Sequence, residues 1–146
     1  MRKSLSLTLM AVAAVLVFGT ATAQAQVHWG ARVGAYMDGG TDTFVGVEAI
    51  TPVARNIFFN PNVEYVAANN DYLTINADLH YDFPTRSNTF FWGGGGIGAL
   101  VGDGTDLVAN VLAGAGIRAG AFVPYVQAKG VFANENRFVI GVGVRY

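Results

Sequence analysis

Three polar side chains near the middle of the sequence are the first candidates for chemistry. Asp78, His80 and Asp82 alternate with apolar residues, so a strand would place all three on one face. Two carboxylates and an imidazole could form a metal site or an acid–base pair. Neighbouring members would stand about 7 Å apart along the strand, however, which suits a single metal ion poorly. We therefore interpret them as an interior ladder of hydrogen bonds and predict no metal site.

A second candidate is the pattern Gly93-x-Gly95-x-x-Gly98, which formally matches the dinucleotide-binding fingerprint. That fingerprint works only where a strand turns into a helix whose N-terminus holds the pyrophosphate, and no helical pattern follows Gly98. The only serine after residue 25 is Ser87, in a predicted turn, and the chain has no cysteine. A cysteine nucleophile is therefore lacking, and so is a serine nucleophile on the outer surface. The sequence predicts no catalytic residue, no cofactor and no enzymatic activity.

The composition limits the possible partners and the number of domains. The chain has 146 residues, 10 acidic and 9 basic side chains, and a formal net charge of −1. This length predicts one domain, and without a basic field the sequence predicts no nucleic-acid partner. Charged residues make up 13% of the chain, against roughly 25% in a typical soluble domain. The chain is therefore poor in the residues that usually coat a protein in water.

The N-terminal segment has the pattern of a secretory signal peptide. Arg2 and Lys3 precede an apolar stretch over residues 5–18, and small residues follow at 21–25. We predict that residues 1–25 are a signal peptide, with cleavage after Ala23 or Ala25, and that residues 26–146 form the one folded domain. The alternative is a retained membrane anchor, but the uncharged stretch over residues 4–18 is shorter than the roughly 20 residues of a spanning helix.

The remaining sequence alternates apolar and polar residues with a period of two, which is typical of strands. Eight such segments are predicted, at residues 27–37, 43–51, 57–66, 72–83, 89–101, 107–117, 122–132 and 137–146. The connections between them are short and rich in Gly, Pro, Asn or Asp, so neighbouring strands must be antiparallel. Which residues of 89–101 share a face is ambiguous because that segment is rich in glycine. The pattern predicts an all-β, antiparallel up-and-down barrel.

Three features favour lipid rather than water around this barrel. The strands have about ten residues, the length that crosses a bilayer at a tilt. The polar face mixes charges of both signs with many glycines, which would be a poor outer surface for a soluble protein. Aromatic residues collect at the strand ends, as in a membrane girdle: one end would hold Trp29, Phe58, Phe59, Tyr81, Phe83, Phe90, Phe91, Trp92, Phe122 and Tyr146, and the other Tyr36, Phe44, Tyr65, Tyr72, Phe132 and Phe138. We predict an eight-stranded transmembrane β-barrel; a soluble barrel is the alternative.

Segments 60–65, 91–98 and 138–146 resemble the small eight-stranded outer-membrane barrels, the OmpA-like porin family of Gram-negative bacteria. The last segment is similar to the strand signal read by the outer-membrane assembly machinery, carried here by Phe138, Ile140, Val142, Val144 and Tyr146. Two departures are the final Tyr, where the family most often has Phe, and the very short loops. The resemblance implies an outer-membrane location. It also implies contact with outer-membrane lipid and, during biogenesis, with the assembly machinery and periplasmic chaperones; we expect a monomer.

In a barrel that shows its apolar face to lipid, the polar face places eight charged side chains inside. With the N-terminus on the periplasmic side, odd strands run outward and even strands return, which sets the height of each charge. Arg32, Glu48 and Asp78 fall near mid-height, Glu64, Lys129 and Arg137 above them, and Asp82 and Arg145 below them. Charges in so narrow an interior must be paired, since unpaired burial costs several kcal/mol. We expect a salt-bridged plug with Arg32–Glu48 at its centre.

The predicted function is therefore that of an outer-membrane barrel with a structural or weakly porin-like role and a plugged lumen. Two alternatives stay open at this point. One is a small-solute pore, in which rearranged salt bridges open a narrow path. The other is a soluble periplasmic ligand-binding barrel of the lipocalin type, which would bury its apolar face.

Overall fold

The computed structural model describes residues 26–146, so the predicted signal peptide lies outside the described residues. No helix in this part of the chain is long and apolar enough to cross a membrane. The chain forms eight strands: β1 His28–Met37, β2 Thr41–Ala54, β3 Ile57–Ala67, β4 Tyr72–Phe83, β5 Thr89–Val101, β6 Thr105–Ile117, β7 Val123–Phe132 and β8 Arg137–Arg145. The predicted bounds of β4 and β5 agree with these, and the others differ by at most three residues.

The eight strands close into one barrel. Each strand pairs antiparallel with its neighbours in sequence order, and β8 pairs back onto β1. Trp29 and Tyr146 exchange backbone hydrogen bonds of 3.2 and 2.9 Å at the seam. Closure leaves no unpaired sheet edge. An unpaired edge would be unfavourable in lipid, because no water is present there to form hydrogen bonds with its backbone groups. The predicted fold class is confirmed.

The two ends of the barrel differ in what they carry. The termini end holds residue 26, Tyr146 and the connections at 55–56, 84–88 and 118–122. The opposite end holds four turns, at 38–40, 68–71, 102–104 and 133–136. All of these connections are short, as the turn residues predicted. The barrel therefore presents two small rims rather than long surface loops.

The apolar face of the barrel points outward and the polar face points inward. Outward side chains such as Val45, Val111 and Ile97 are 57%, 59% and 70% exposed, whereas inward Glu64 and Asp78 are 1% and 0% exposed. A water-soluble barrel has the reverse arrangement, because burial of apolar surface is what stabilises it. The alternative of a soluble barrel with an apolar ligand cavity is therefore wrong.

The structure also resolves the faces of the glycine-rich strand β5. Phe90, Trp92, Gly94, Gly96 and Gly98 lie on the inward face. A Cβ atom at any of these three glycines would collide with a backbone carbonyl of β4 and with an inward β4 side chain. The glycines therefore provide the close approach that lets polar side chains of β4 fill a narrow lumen, as expected for glycine within a strand.

Several aromatic residues predicted to lie in membrane girdles are instead buried inside the barrel. Phe90 and Trp92 pack with Leu112 and Tyr125 near the termini end, a group we call the termini-end cluster. The second group, the opposite-end cluster, consists of Tyr36, Phe44, Val66, Leu100, Val108, Val131 and Val139. These residues have inward parity, and the rings of Phe44, Phe90, Trp92 and Tyr125 lie over glycines of a neighbouring strand, Trp92 over Gly114 for example. The lumen thus has an apolar layer near each end.

Candidate functional site in the barrel lumen

Arg32 of β1 is the central cation between these two apolar layers. Its strand neighbour in β2 is Gly46, and the space that a side chain at Gly46 would fill is occupied by Glu64. Arg32 Nη1 lies 3.6 Å from Glu48 Oε2, and its Nη2 pairs with Glu64 Oε1 and donates a hydrogen bond to Asn62 Oδ1. Arg32 and Glu48, the pair expected at the centre, are therefore in contact, but Glu64 is the closer partner of Arg32.

Glu48 of β2 connects side chains that reach into the lumen from several different strands. Its Oε1 accepts hydrogen bonds from Arg145 Nε at 2.9 Å and from the Tyr125 hydroxyl at 2.6 Å. Its Oε2 accepts a hydrogen bond from Asn60 Nδ2 at 2.9 Å. Arg145 itself lies against the rings of Trp92 and Tyr125, at 4.7 and 4.3 Å from their centroids. One carboxylate thus joins strands β1, β2, β3, β7 and β8.

A second group of charges surrounds Lys129 of β7. Its Nζ lies 3.4 Å from Asp78 Oδ2 and 3.8 Å from Glu64 Oε1. Asp78 also accepts hydrogen bonds from Asn62 at 2.9 Å and from Asn110 at 3.1 Å. The second oxygen of Glu64 accepts hydrogen bonds from the hydroxyls of Tyr36 and Thr74. Every carboxylate of the group therefore has both a cation and neutral donors beside it.

Six of the eight predicted charges form one connected set, which we call the lumen network: Arg32, Glu48, Glu64, Asp78, Lys129 and Arg145. Three are cations and three are anions, and none is more than 6% exposed. A neutral, mutually paired set is the form in which buried charge is tolerated. The space left beside Arg32, Glu64 and Lys129 is about 10 Å³, which holds about one water molecule.

The other two predicted charges lie outside the lumen network. Asp82 is near the termini end, where its Oδ1 is 3.2 Å from His80 Nε2. Arg137 is near the opposite end, where its Nε is 3.0 Å from Asp38 Oδ2 and both side chains are partly exposed. Asp82 is next to the end of β4, and Arg137 is the first residue of β8. Both therefore lie at the rims of the barrel, beyond reach of the charges at mid-height.

The strand carrying Asp78, His80 and Asp82 does not bring the three together. Asp78 bonds to side chains of other strands, whereas His80 adjoins Asp82 and stacks on Phe58 with ring centroids 5.5 Å apart. Among residues 26–146, no three histidine, aspartate or glutamate side chains lie close enough to hold a metal ion.

Sequence reasoning missed the neutral members of the lumen. Four asparagines are nearly inaccessible: Asn60, Asn62 and Asn110 donate hydrogen bonds to Glu48 or Asp78, and Asn76 connects Asn62 with Asn110. The hydroxyls of Tyr36 and Tyr125 donate to Glu64 and Glu48. The signal that could have found them is parity, because each asparagine occupies an inward position of its strand.

The side-chain charges are unevenly distributed along the barrel axis. The lumen network is neutral, and the termini end carries Arg55, Arg86, Arg118 and Asp82, a net charge of +2. The opposite end carries one basic residue, Arg137, and six acidic residues, which gives a net charge of −5: Asp38, Asp42, Asp71, Asp103, Asp106 and Glu135. Any charged molecule that approaches the two rims therefore meets opposite fields.

The residues predicted to carry the assembly signal lie on the outer surface of β8. Phe138, Ile140, Val142 and Val144 are all exposed on the apolar face, and Tyr146 follows the strand at the seam with β1. This placement is what alternation predicts. Recognition by an assembly machinery stays a prediction.

Comparisons with known proteins relate this architecture to solved structures. No known protein family and no curated protein sequence matches the chain. Among solved structures, Neisserial surface protein A is 15% identical, with a TM-score of 0.68 over 82% of this chain and 94% of that one. The N-terminal β-barrel domain of Pseudomonas aeruginosa OprF is 13% identical, with a TM-score of 0.68 over 84% and 98%. Ail, the attachment invasion locus protein of Yersinia pestis, is 9% identical, with a TM-score of 0.61 over 84% and 96%.

The chain has the fold of the small outer-membrane β-barrels. Nearly the whole of each neighbour is covered, so the likeness concerns a complete barrel rather than a shared hairpin. At these identities it shows architecture and not activity. Together with the outward apolar surface, which requires lipid, the chain has the architecture of an outer-membrane β-barrel, as predicted.

Proposed function

We propose that this chain is a non-enzymatic outer-membrane barrel whose lumen is closed by the lumen network, so that its role is structural rather than conductive. The observation that carries the proposal is the connected set of three buried cations and three buried anions across the barrel interior. An eight-stranded barrel is just wide enough for its side chains to fill. Filling it with a neutral, paired network leaves no site that favours a passing ion.

The apolar clusters strengthen this closure. The termini-end cluster and the opposite-end cluster lie on either side of the lumen network, and their aromatic rings are nearly inaccessible. A hydrophobic constriction excludes water and therefore blocks ions even where the backbone leaves space. An opened lumen network would therefore pass only small currents, because an apolar layer still narrows the path near each end.

Binding of a sulfated saccharide at the opposite end of the barrel is not favoured. One neighbour, at a TM-score of 0.57 and 9% identity, is Ail in complex with the heparin analogue sucrose octasulfate. The opposite end of the present barrel carries a net side-chain charge of −5 on very short turns and the adjoining strand ends. Such a rim repels polyanions.

Planar-bilayer conductance of residues 26–146, refolded in detergent, tests the proposal. A boiled-versus-unboiled gel shift confirms that each sample is folded. We expect no discrete current steps for the wild-type barrel, and small steps for Glu48→Ala, which removes the carboxylate that joins five strands. Glu135→Ala, in an exposed turn, is the matched control and is expected to stay silent. Regular steps from the wild-type barrel would instead support the alternative of a small-solute pore.

A further inference from the structure

A cavity of about 390 Å³ opens at the termini end, separate from the closed centre of the lumen. Its apolar walls include Ile50, Phe58, Phe90 and Val123, and its polar groups are Arg118, Arg145, His28, His80 and Asp82. We propose that this cavity binds a small organic carboxylate, a monoanion attached to an apolar body. The inference does not depend on whether the lumen conducts.

Arg145 supplies the first reason for an anion. Its side chain is almost fully buried at the cavity wall, and its Nε is used by Glu48. Its Nη2, however, has no hydrogen-bond partner in the described part of the chain. The guanidinium lies against the rings of Trp92 and Tyr125, which fix its plane beside the cavity. A carboxylate is the acceptor that matches the planar fork of an arginine.

Arg118 supplies the second donor. It lies on the connection at 118–122, and its guanidinium sits over the Phe90 ring at 4.2 Å from the centroid. Within residues 26–146 no carboxylate lies within ion-pair distance of Arg118. The net charge of +2 at this end adds a favourable field for an anion. Asp82 reduces that field locally, but it faces His80 rather than either arginine.

The walls define the rest of the ligand. The rings of Phe58 and Phe90 form part of the cavity wall beside Ile50 and Val123, so the cavity offers apolar surface for the body of the ligand. Its volume is at the lower end of the range for small-molecule sites, which suits a compact acid rather than a long chain. Convergent charged donors in a mostly apolar concavity are the usual composition of such a site.

The two tryptophans of the described barrel provide an internal readout. Trp92 contacts Arg145 and donates its indole N–H to Gln127 at 3.2 Å, whereas Trp29 faces outward at the same end. In an NMR titration of the refolded protein with benzoate, we expect saturable shifts of the Trp92 indole signal and none of the Trp29 signal. Acetate, which lacks the apolar body, and benzamide, which lacks the charge, are expected to bind at least about tenfold more weakly.

A matched pair of variants tests the assignment of the site. Arg118→Gln is expected to weaken benzoate binding about tenfold, because one charge-assisted hydrogen bond is lost. Its backbone N–H still donates to Asn88 O, so the connection keeps its shape. Arg86→Gln removes the same charge from the same end but does not line the cavity, and is expected to change affinity less than about twofold. Equal effects of the two variants, equal shifts of Trp29 and Trp92, or acetate binding as tight as benzoate would each overturn the proposal.

Discussion

Replacing Glu48 by glutamine removes one charge from the lumen network while leaving the size of the side chain unchanged. Glu48 is 2% exposed and faces two cations, Arg145 at 2.9 Å and Arg32 at 3.6 Å. It also accepts hydrogen bonds from Asn60 and Tyr125. The amide can still accept at one oxygen, but its NH₂ group would meet donors where the second carboxylate oxygen now accepts. The network would carry an uncompensated positive charge.

The expected cost follows from the burial of that charge. Removing one member of a buried pair typically costs about 3 to 5 kcal/mol, because the partner is left charged and unpaired. The matched control is Asp38→Asn at the rim, where Asp38 and Arg137 pair at 3.0 Å but are 20% and 18% exposed. A partly exposed pair at the rim is expected to contribute about 1 kcal/mol or less, since water reaches both members.

Urea unfolding of the refolded barrel in lipid vesicles, followed by tryptophan fluorescence and gel shift, measures both costs. We expect the loss for Glu48→Gln to exceed that for Asp38→Asn by at least about 2 kcal/mol. Removing the partner as well, in Glu48→Gln/Arg145→Gln, is expected to cost less than the sum of the two single substitutions. If Glu48→Gln lowered the free energy of unfolding by less than about 1 kcal/mol, the network would not be stabilised by pairing, and the reasoning would be wrong.

Two further predictions concern packing and titration. Gly96→Ala places a Cβ against the Ala77 carbonyl, so we expect a loss of about 1 to 3 kcal/mol in the same unfolding assay, whereas Gly93→Ala, with nothing closer than 3.8 Å, changes stability by less than about 0.5 kcal/mol. The Tyr65 hydroxyl, 2.6 Å from Asp71, holds the pKa of that exposed carboxyl below its usual range, so Tyr65→Phe is expected to raise it in an NMR titration. Because the folded-state pKa is lowered, the contribution of Asp71 to stability is present above its unfolded pKa and lost as pH falls through the folded value. An unchanged titration midpoint would contradict this assignment.

Much of the fold could be predicted from the sequence because a strand has a strict period of two. The bounds of β4 and β5 and the outward set of β8 follow directly from alternation and turn residues. The inward charges followed from the same parity once the apolar face was assigned to lipid. Strand position then placed Asp82 and Arg137 away from mid-height, where the structure has them.

The pairing inside the lumen could not be read from parity alone. Side-chain reach across the barrel brings Glu64 closer to Arg32 than Glu48 is, and brings Arg145 of the last strand onto Glu48. These contacts depend on strand stagger and on glycines that leave space for large neighbours. The inward aromatics were misassigned for a related reason: Trp92 and Phe90 are at a strand end, but they fill the space above Gly114 and Gly116 rather than the membrane interface.

The central claim, an apolar surface in lipid around a closed polar lumen, is tested most directly by methyl NMR of the wild-type barrel in a lipid environment. Two paramagnetic agents would be added separately, a lipid carrying a nitroxide in its acyl chain and a water-soluble gadolinium chelate. We expect the lipid agent to broaden the methyl signals of Val45, Val111 and Ile140, which face outward. Val66, Val131 and Val139, buried in the lumen, are expected to be spared by both agents. Broadening of these three by the gadolinium chelate would show an open lumen, and broadening of them by the lipid agent, with the outward set spared, would show the opposite orientation of the faces.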